Sequence, residues 1–148
     1  GSKISITLLK SAKFPDCSAD MGTHEFTYSL LPHDGTAVSG ETVKQANLLN
    51  MPPLVLSGKS AAGNKKLFTV NSENVIIDAV KQADNGSGII LRLHECRGGK
   101  ARVNISSDYD VSSFTPCNLL EKPTGEEFNG SGICADFNPF EIKSFIIK

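Results

Sequence analysis

Strict alternation of apolar and polar residues recurs along this chain and leaves few folds open to it. The cleanest stretch is Lys100–Ser106, where Ala101, Val103 and Ile105 fall on one side and Lys100, Arg102 and Asn104 on the other. Successive side chains of a strand point to opposite faces, so this pattern predicts a half-buried strand. The same period puts Ile4, Ile6 and Leu8 together over residues 4–10, and Phe26, Tyr28 and Leu30 together over residues 24–31. Residues 74–83 and 88–96 bracket Asp84-Asn85-Gly86-Ser87, which supplies the positive φ angles of a tight hairpin. Val75-Ile76-Ile77 is β-branched throughout and favours strand over helix. Further hairpins are expected at Arg97-Gly98-Gly99 and near Asn129-Gly130-Ser131-Gly132. A last strand is expected over 140–147, entered through Asn138-Pro139.

One helix interrupts this pattern. Residues 40–50 carry it, with Ser39 as the expected N-cap and Met51-Pro52-Pro53 as its stop. It lies in a long excursion over 34–66, whose tip is expected to be the mobile segment 57–64. Short strands, dense turns and one short helix predict an all-β fold, an antiparallel two-sheet β-sandwich. With 148 residues the chain is long enough to bury roughly 70% of its unfolded surface without a metal or a disulfide. Gly1-Ser2 reads as a cloning scar ahead of a single domain over 3–148, cut from a larger protein.

Charge excludes some partners. Fifteen Lys and Arg stand against 16 Asp and Glu, a net charge of -1, so neither nucleic acid nor an anionic membrane is expected as partner. No apolar run approaches the roughly 20 residues of a membrane span. The four cysteines, Cys17, Cys96, Cys117 and Cys134, are irregularly spaced without a C-x-x-C pair. They predict reduced thiols in a cytoplasmic protein. N-x-S sequons at Asn85, Asn104 and Asn129 point the other way, but two of them fall in Asn-Gly turns that explain them without a sugar.

Several chemistries can be weighed directly. Gly58-Lys59-Ser60 lacks the glycine a phosphate-binding loop needs five residues earlier, where Pro53 stands. His24, His33 and His94 form no metal-binding pair in sequence. His24 is expected to be hydrogen-bonded and partly buried, His94 an exposed strand residue beside Arg92, and His33 a turn residue. Asp16 and Asp20 share one acidic loop with Gly22, and aspartates in such loops usually cap turns through backbone amides. Cys17 could be a nucleophile only if a nearby cation lowered its pKa, and adjacent Asp16 opposes that. With no tryptophan and only two tyrosines, the chain lacks the flat aromatic platforms typical of sugar-binding modules.

The stretch Leu8-Leu9-Lys10-Ser11, Pro15-Asp16 and Ala19-Asp20-Met21-Gly22-Thr23-His24-Glu25-Phe26-Thr27-Tyr28-Ser29-Leu30-Leu31-Pro32-His33 resembles the opening of the C-terminal β-domain of family-38 glycoside hydrolases, the class II α-mannosidases of bacterial and cytosolic type. The likeness continues in Leu48-Leu49-Asn50-Met51-Pro52-Pro53-Leu54, in Gly88–Glu95 and in Pro139-Phe140-Glu141-Ile142-Lys143. The family usually carries arginine at the position of Lys10; lysine keeps the charge but loses the planar fork of donors. The resemblance implies that zinc and the catalytic aspartates sit in a separate N-terminal catalytic domain, with no catalytic or metal-binding residue in this chain. It implies a non-catalytic domain, inactive alone, that packs on the catalytic barrel of a retaining α-mannosidase. Lys10, Asp16, Asp20, Gly22 and His24 would then lie at the rim of the α-mannoside cleft. The alternatives are an autonomous carbohydrate-binding module using the same loop, and a protein-interaction domain.

Overall fold

The structure is a computed structural model that describes residues 1–38, 41–61 and 63–148. The expected N-cap Ser39, the expected helix start Gly40, and Ala62 of the 57–64 tip lie outside the described residues. The chain divides into two compact units, residues 1–32 and 33–148.

The second unit holds all the regular structure. Helix α1 spans Thr42–Asn50, and the strands are β1 (Thr69–Val70), β2 (Val75–Gln82), β3 (Ile89–Glu95), β4 (Ala101–Ser106), β5 (Ser113–Cys117), β6 (Phe128–Asn129), β7 (Gly132–Phe137) and β8 (Ile142–Ile147). Glu41 occupies the N-cap position of α1 without a side-chain hydrogen bond, and the helix stops at Met51 before Pro52. The strands form two antiparallel sheets, β1-β4-β7 and β2-β3-β8-β5-β6. The expected β-sandwich is therefore present, and the core between its sheets is built by the predicted alternation. Val103 and Ile105 of β4 meet Leu91 and Leu93 of β3, Phe145 and Ile147 of β8, and Phe114 of β5.

Register fixes the opposite face of the five-stranded sheet. Ile90 pairs Ile146, Arg92 pairs Ser144, and His94 pairs Ile142, each one residue out of phase with the core positions. Ala83, Ile90, Cys117 and Ile146 make a second apolar cluster on that outer side. The loop after β5 covers part of it. There Lys81 Nζ lies 2.6 Å from Asp84 and 2.5 Å from Glu121, and the Asp84 N–H donates to Glu121 at 2.7 Å.

The Asp84–Ser87 turn joins β2 to β3 as a hairpin, with Gly86 at φ 72°. The other two expected hairpins do not form. Arg97–Gly99 carries the chain from β3 in one sheet to β4 in the other, and residues 130–131 carry it from β6 to β7 across the sandwich. Glycine-rich turns permit a reversal in either case; which sheet receives the next strand depends on where its apolar face finds a partner.

Residues 1–32 contain no strand, which corrects the expectation for 4–10 and 24–31. A strand exists only while its backbone groups pair with a neighbour. Within this unit no ladder forms, and Ile4 (90%), Ile6 (67%), Tyr28 (67%) and Leu30 (82%) stand exposed.

Candidate functional site

The loop from Lys10 to His24 is organised by its own polar groups. Asp16 Oδ1 accepts the Ser18 backbone N–H at 2.8 Å and the Ser18 hydroxyl at 2.7 Å. The backbone donor, then the hydroxyl, hold the Asp16 carboxyl below its ordinary value. This is the turn-capping geometry expected of an aspartate in such a loop. The Met21 N–H closes the next turn on the Ser18 carbonyl at 3.0 Å. Gly22 then adopts φ 127°, open to glycine and strained for any other residue, and nothing lies within 4 Å of where a Cβ would stand.

His24 Nε2 lies 2.9 Å from the Asp20 carbonyl oxygen, tying the two ends of the Gly22 turn together. Its ring stacks on Phe26 at 6.1 Å between centroids and 15° between planes. The histidine is hydrogen-bonded as expected; it is exposed rather than partly buried. A shallow pocket of about 160 Å³ is lined by Ser11, Ala12, Lys13, Cys17, Asp20 and Met21. Of the sequence-predicted site residues, Asp20 alone lines it. Asp20 and His24 meet through a backbone carbonyl, Asp16 faces Ser18, and Lys10 joins none of these contacts.

What the loop can do chemically follows from this. Its polar side chains are exposed apart from half-buried Asp20, so it can present hydroxyl-binding groups at a surface. Among the described residues, no group of three His, Cys, Asp or Glu side chains could hold a metal ion. All four cysteines are free, with Cys17 and Cys134 exposed and Cys96 and Cys117 buried. Burial pushes the Cys96 and Cys117 thiols up, away from thiolate character.

In the second unit, His94 is half-buried rather than exposed, with Nδ1 2.7 Å from Asp78 Oδ2. Asp78 reaches it from the outer face of β2, two residues after Ile76, and the register slip between Ile77 and Ala79 keeps Ala79 on that face as well. Alternation from Ile76 puts Asp78 on this face, and that was the signal that could have found the pair; the bulge that follows leaves no periodic trace.

Comparison with known proteins covers both units. Residues 74–145 match the family model for the glycosyl hydrolases family 38 C-terminal beta sandwich domain. The chain is 34% identical over 155 residues to Alpha-mannosidase 2C1 of Mus musculus, which spans 99% of this chain and 15% of that protein. It is 34% identical over 158 residues to Alpha-mannosidase G of Dictyostelium discoideum, spanning 98% of this chain and 14% of that one. Identity to Alpha-mannosidase of Saccharomyces cerevisiae is 29% over 170 residues, spanning 98% and 16%. The chain thus spans about 15% of the length of the first of these relatives. No solved structure matches it.

Proposed function

Because this chain belongs to glycosyl hydrolase family 38, as a C-terminal β-sandwich domain of α-mannosidases, we propose that it serves a zinc-dependent, retaining α-mannosidase as a non-catalytic domain. In this reading it packs on the catalytic domain and lends the Lys10–His24 loop to the rim of the cleft that takes terminal α-mannosides. The observation that carries the reading is continuity. Identity of 34% runs over 99% of this chain yet over 15% of Alpha-mannosidase 2C1. A segment that small within so long a relative suits a supporting role, and its exposed polar loop suits contact with sugar hydroxyls.

No cluster among the described residues fits a metal, so in this proposal the zinc is held by the catalytic domain and no chemical step passes through this chain. Its residues position. Asp16 and Gly22 set the loop backbone, His24 fixes the Asp20 carbonyl, and Lys10 and the Asp20 carboxylate are the groups offered to substrate. The four free thiols support a cytoplasmic location.

The test is kinetic, in the full-length α-mannosidase. Lys10→Ala and Asp20→Ala should raise KM for an aryl α-mannoside severalfold while kcat changes little, the signature of lost ground-state contact. Unchanged KM in both variants would remove the loop from the cleft. Saturable mannose binding by the 148-residue chain alone would favour an autonomous carbohydrate-binding module instead.

A further inference from the structure

The outer face of the five-stranded sheet is mixed: isoleucines share it with Asp78, Arg92, His94 and Ser144. Antiparallel sheets with one solvated side alternate apolar and polar residues, whereas strands covered on both sides do not. The three-stranded sheet follows the first pattern. Its outward residues include Arg102, Asn104, Cys134 and Asp136, all exposed, and Arg102 pairs Asp136 at 3.7 Å. The five-stranded sheet departs from it. Its outward residues include Ile76, Ala79, Ile90, Ile142 and Ile146, and four of these fall in the rows Ile76–His94–Ile142 and Ile90–Ile146.

Part of this face is already closed. Ile90 is 0% exposed and Ile146 6%. The part toward Ile142 is open, since Ile142 is 53% exposed. Ile76 also borders a cavity of about 340 Å³ against α1, lined by Val43, Leu48 and Met51 among others. That volume admits an apolar side chain or two from a partner.

Charge on the same face is incomplete. His94 is hydrogen-bonded to Asp78, and Arg97 is paired with Glu73. Half-buried Arg92 donates through Nε to the Ser144 hydroxyl at 3.1 Å and, among the described residues, has no carboxylate partner. A half-buried guanidinium fork that has no carboxylate among the described residues suits a planar carboxylate brought by something that docks there.

We infer that the open end of this outer face, around Ile76, His94, Ile142 and Arg92, is where the domain docks on the remainder of an α-mannosidase chain, which places a carboxylate against Arg92. The inference rests on the accessory-domain reading and names the surface that reading uses. The occupant follows from length: the matched segment is 15% of Alpha-mannosidase 2C1, so most of such a protein is available to cover it.

Thiol alkylation tests the assignment, with native Cys134 on the other sheet as internal reference. Ile142→Cys is made in the full-length α-mannosidase and in the 148-residue chain, and maleimide labelling at both positions is followed by peptide mass spectrometry. The introduced thiol should react at least about tenfold more slowly in the full-length enzyme, as expected in the water-excluded core of an interface, while Cys134 keeps its rate. Adding Arg92→Glu should restore fast labelling at 142, and Arg92→Lys should restore it less. Slowing at Cys134 alone, or at both positions, would overturn this face while leaving the accessory role standing. No slowing at either would overturn both. Protection at 142 in the 148-residue chain that grows with its concentration would make a second copy the occupant and overturn the inference.

Discussion

Glu95 and Phe140 are 45 residues apart, yet the buried Glu95 carboxylate accepts the Phe140 backbone N–H at 2.9 Å. The same carboxylate takes the Arg97 N–H at 2.9 Å and the Gly98 N–H at 2.8 Å. One side chain thus holds the turn that leaves β3 against the turn that enters β8, where Phe140 adopts φ 57°. Burial by itself would push this carboxyl up, but the backbone donors of Phe140, Arg97, Gly99 and Gly98 outweigh it and hold it down. Glu95→Ala should cost about 3 kcal/mol in urea unfolding, because three part-buried N–H groups lose a charged acceptor together. The pH dependence has a definite sign. A carboxyl depressed in the folded state contributes stability that is full above its unfolded value and is lost as pH falls through the folded one. Unfolding midpoints should therefore drop in the acid range below the ordinary glutamate pKa, and Glu95→Gln should flatten that drop.

A second prediction concerns Gly88, where the hairpin enters β3. A Cβ there would run into the carbonyl oxygen of Ile147, a backbone atom fixed in the β3–β8 ladder. Backbone cannot swing aside as a side-chain tip can, so Gly88→Ala should cost about 2 kcal/mol or more. Gly99→Ala is the control, with nothing within 4 Å of its Cβ, and should change stability by less than about 0.5 kcal/mol. Thermal unfolding of the two variants separates a packing constraint from a general glycine effect.

How far the fold could be read in advance depended on what each signal encodes. The β2–β3 hairpin and β4 were legible because alternation and turn chemistry are local. β5 is not legible in the alternation, because Pro116 sits inside it and proline argues against a strand interior; here Pro116 stands opposite Phe145 while its carbonyl accepts the Thr124 N–H at 2.9 Å. The turns at 97–99 and 130–131 were legible as reversals, but the choice of sheet is made by long-range burial. Over 4–10 and 24–31 the alternation records a face to be covered and says nothing about which chain supplies the ladder. In the loop, capping by Asp16 and the positive φ of Gly22 followed from residue type. The Asp78–His94 pair did not, since alternation gives each residue its face and only the β2–β3 register brings the two together.

Thiol reactivity should divide by burial. Cys96 and Cys117 are 6% and 7% exposed, and burial raises both thiols. Cys17 and Cys134 are exposed. Brief iodoacetamide treatment of the native chain near pH 8 should label Cys17 and Cys134 and spare the buried pair, with all four labelled in denaturant. Fast native labelling of Cys117 would mean that the loop over the outer cluster opens readily, since Pro123 and Cys117 form a β-bridge there.

The loop turn offers a titration that separates its two donors. Asp16 is lowered first by the Ser18 backbone N–H and then by the Ser18 hydroxyl. Ser18→Ala removes the smaller contribution and leaves the larger, so the Asp16 pKa should rise toward the ordinary aspartate value without reaching it. Carbon-detected NMR of the side-chain carboxyl reads this directly. The sign carries to the loop's order: the cap is complete above the ordinary aspartate pKa and weakens as pH falls through the lowered one. Amide exchange at Ser18 and Met21 should therefore quicken relative to neighbouring amides on acidification in that window, and Asp16→Ala should show the quickened exchange at every pH. A carboxyl that titrates identically with and without the Ser18 hydroxyl would leave the backbone amide as the sole cap and make position 18 free to vary.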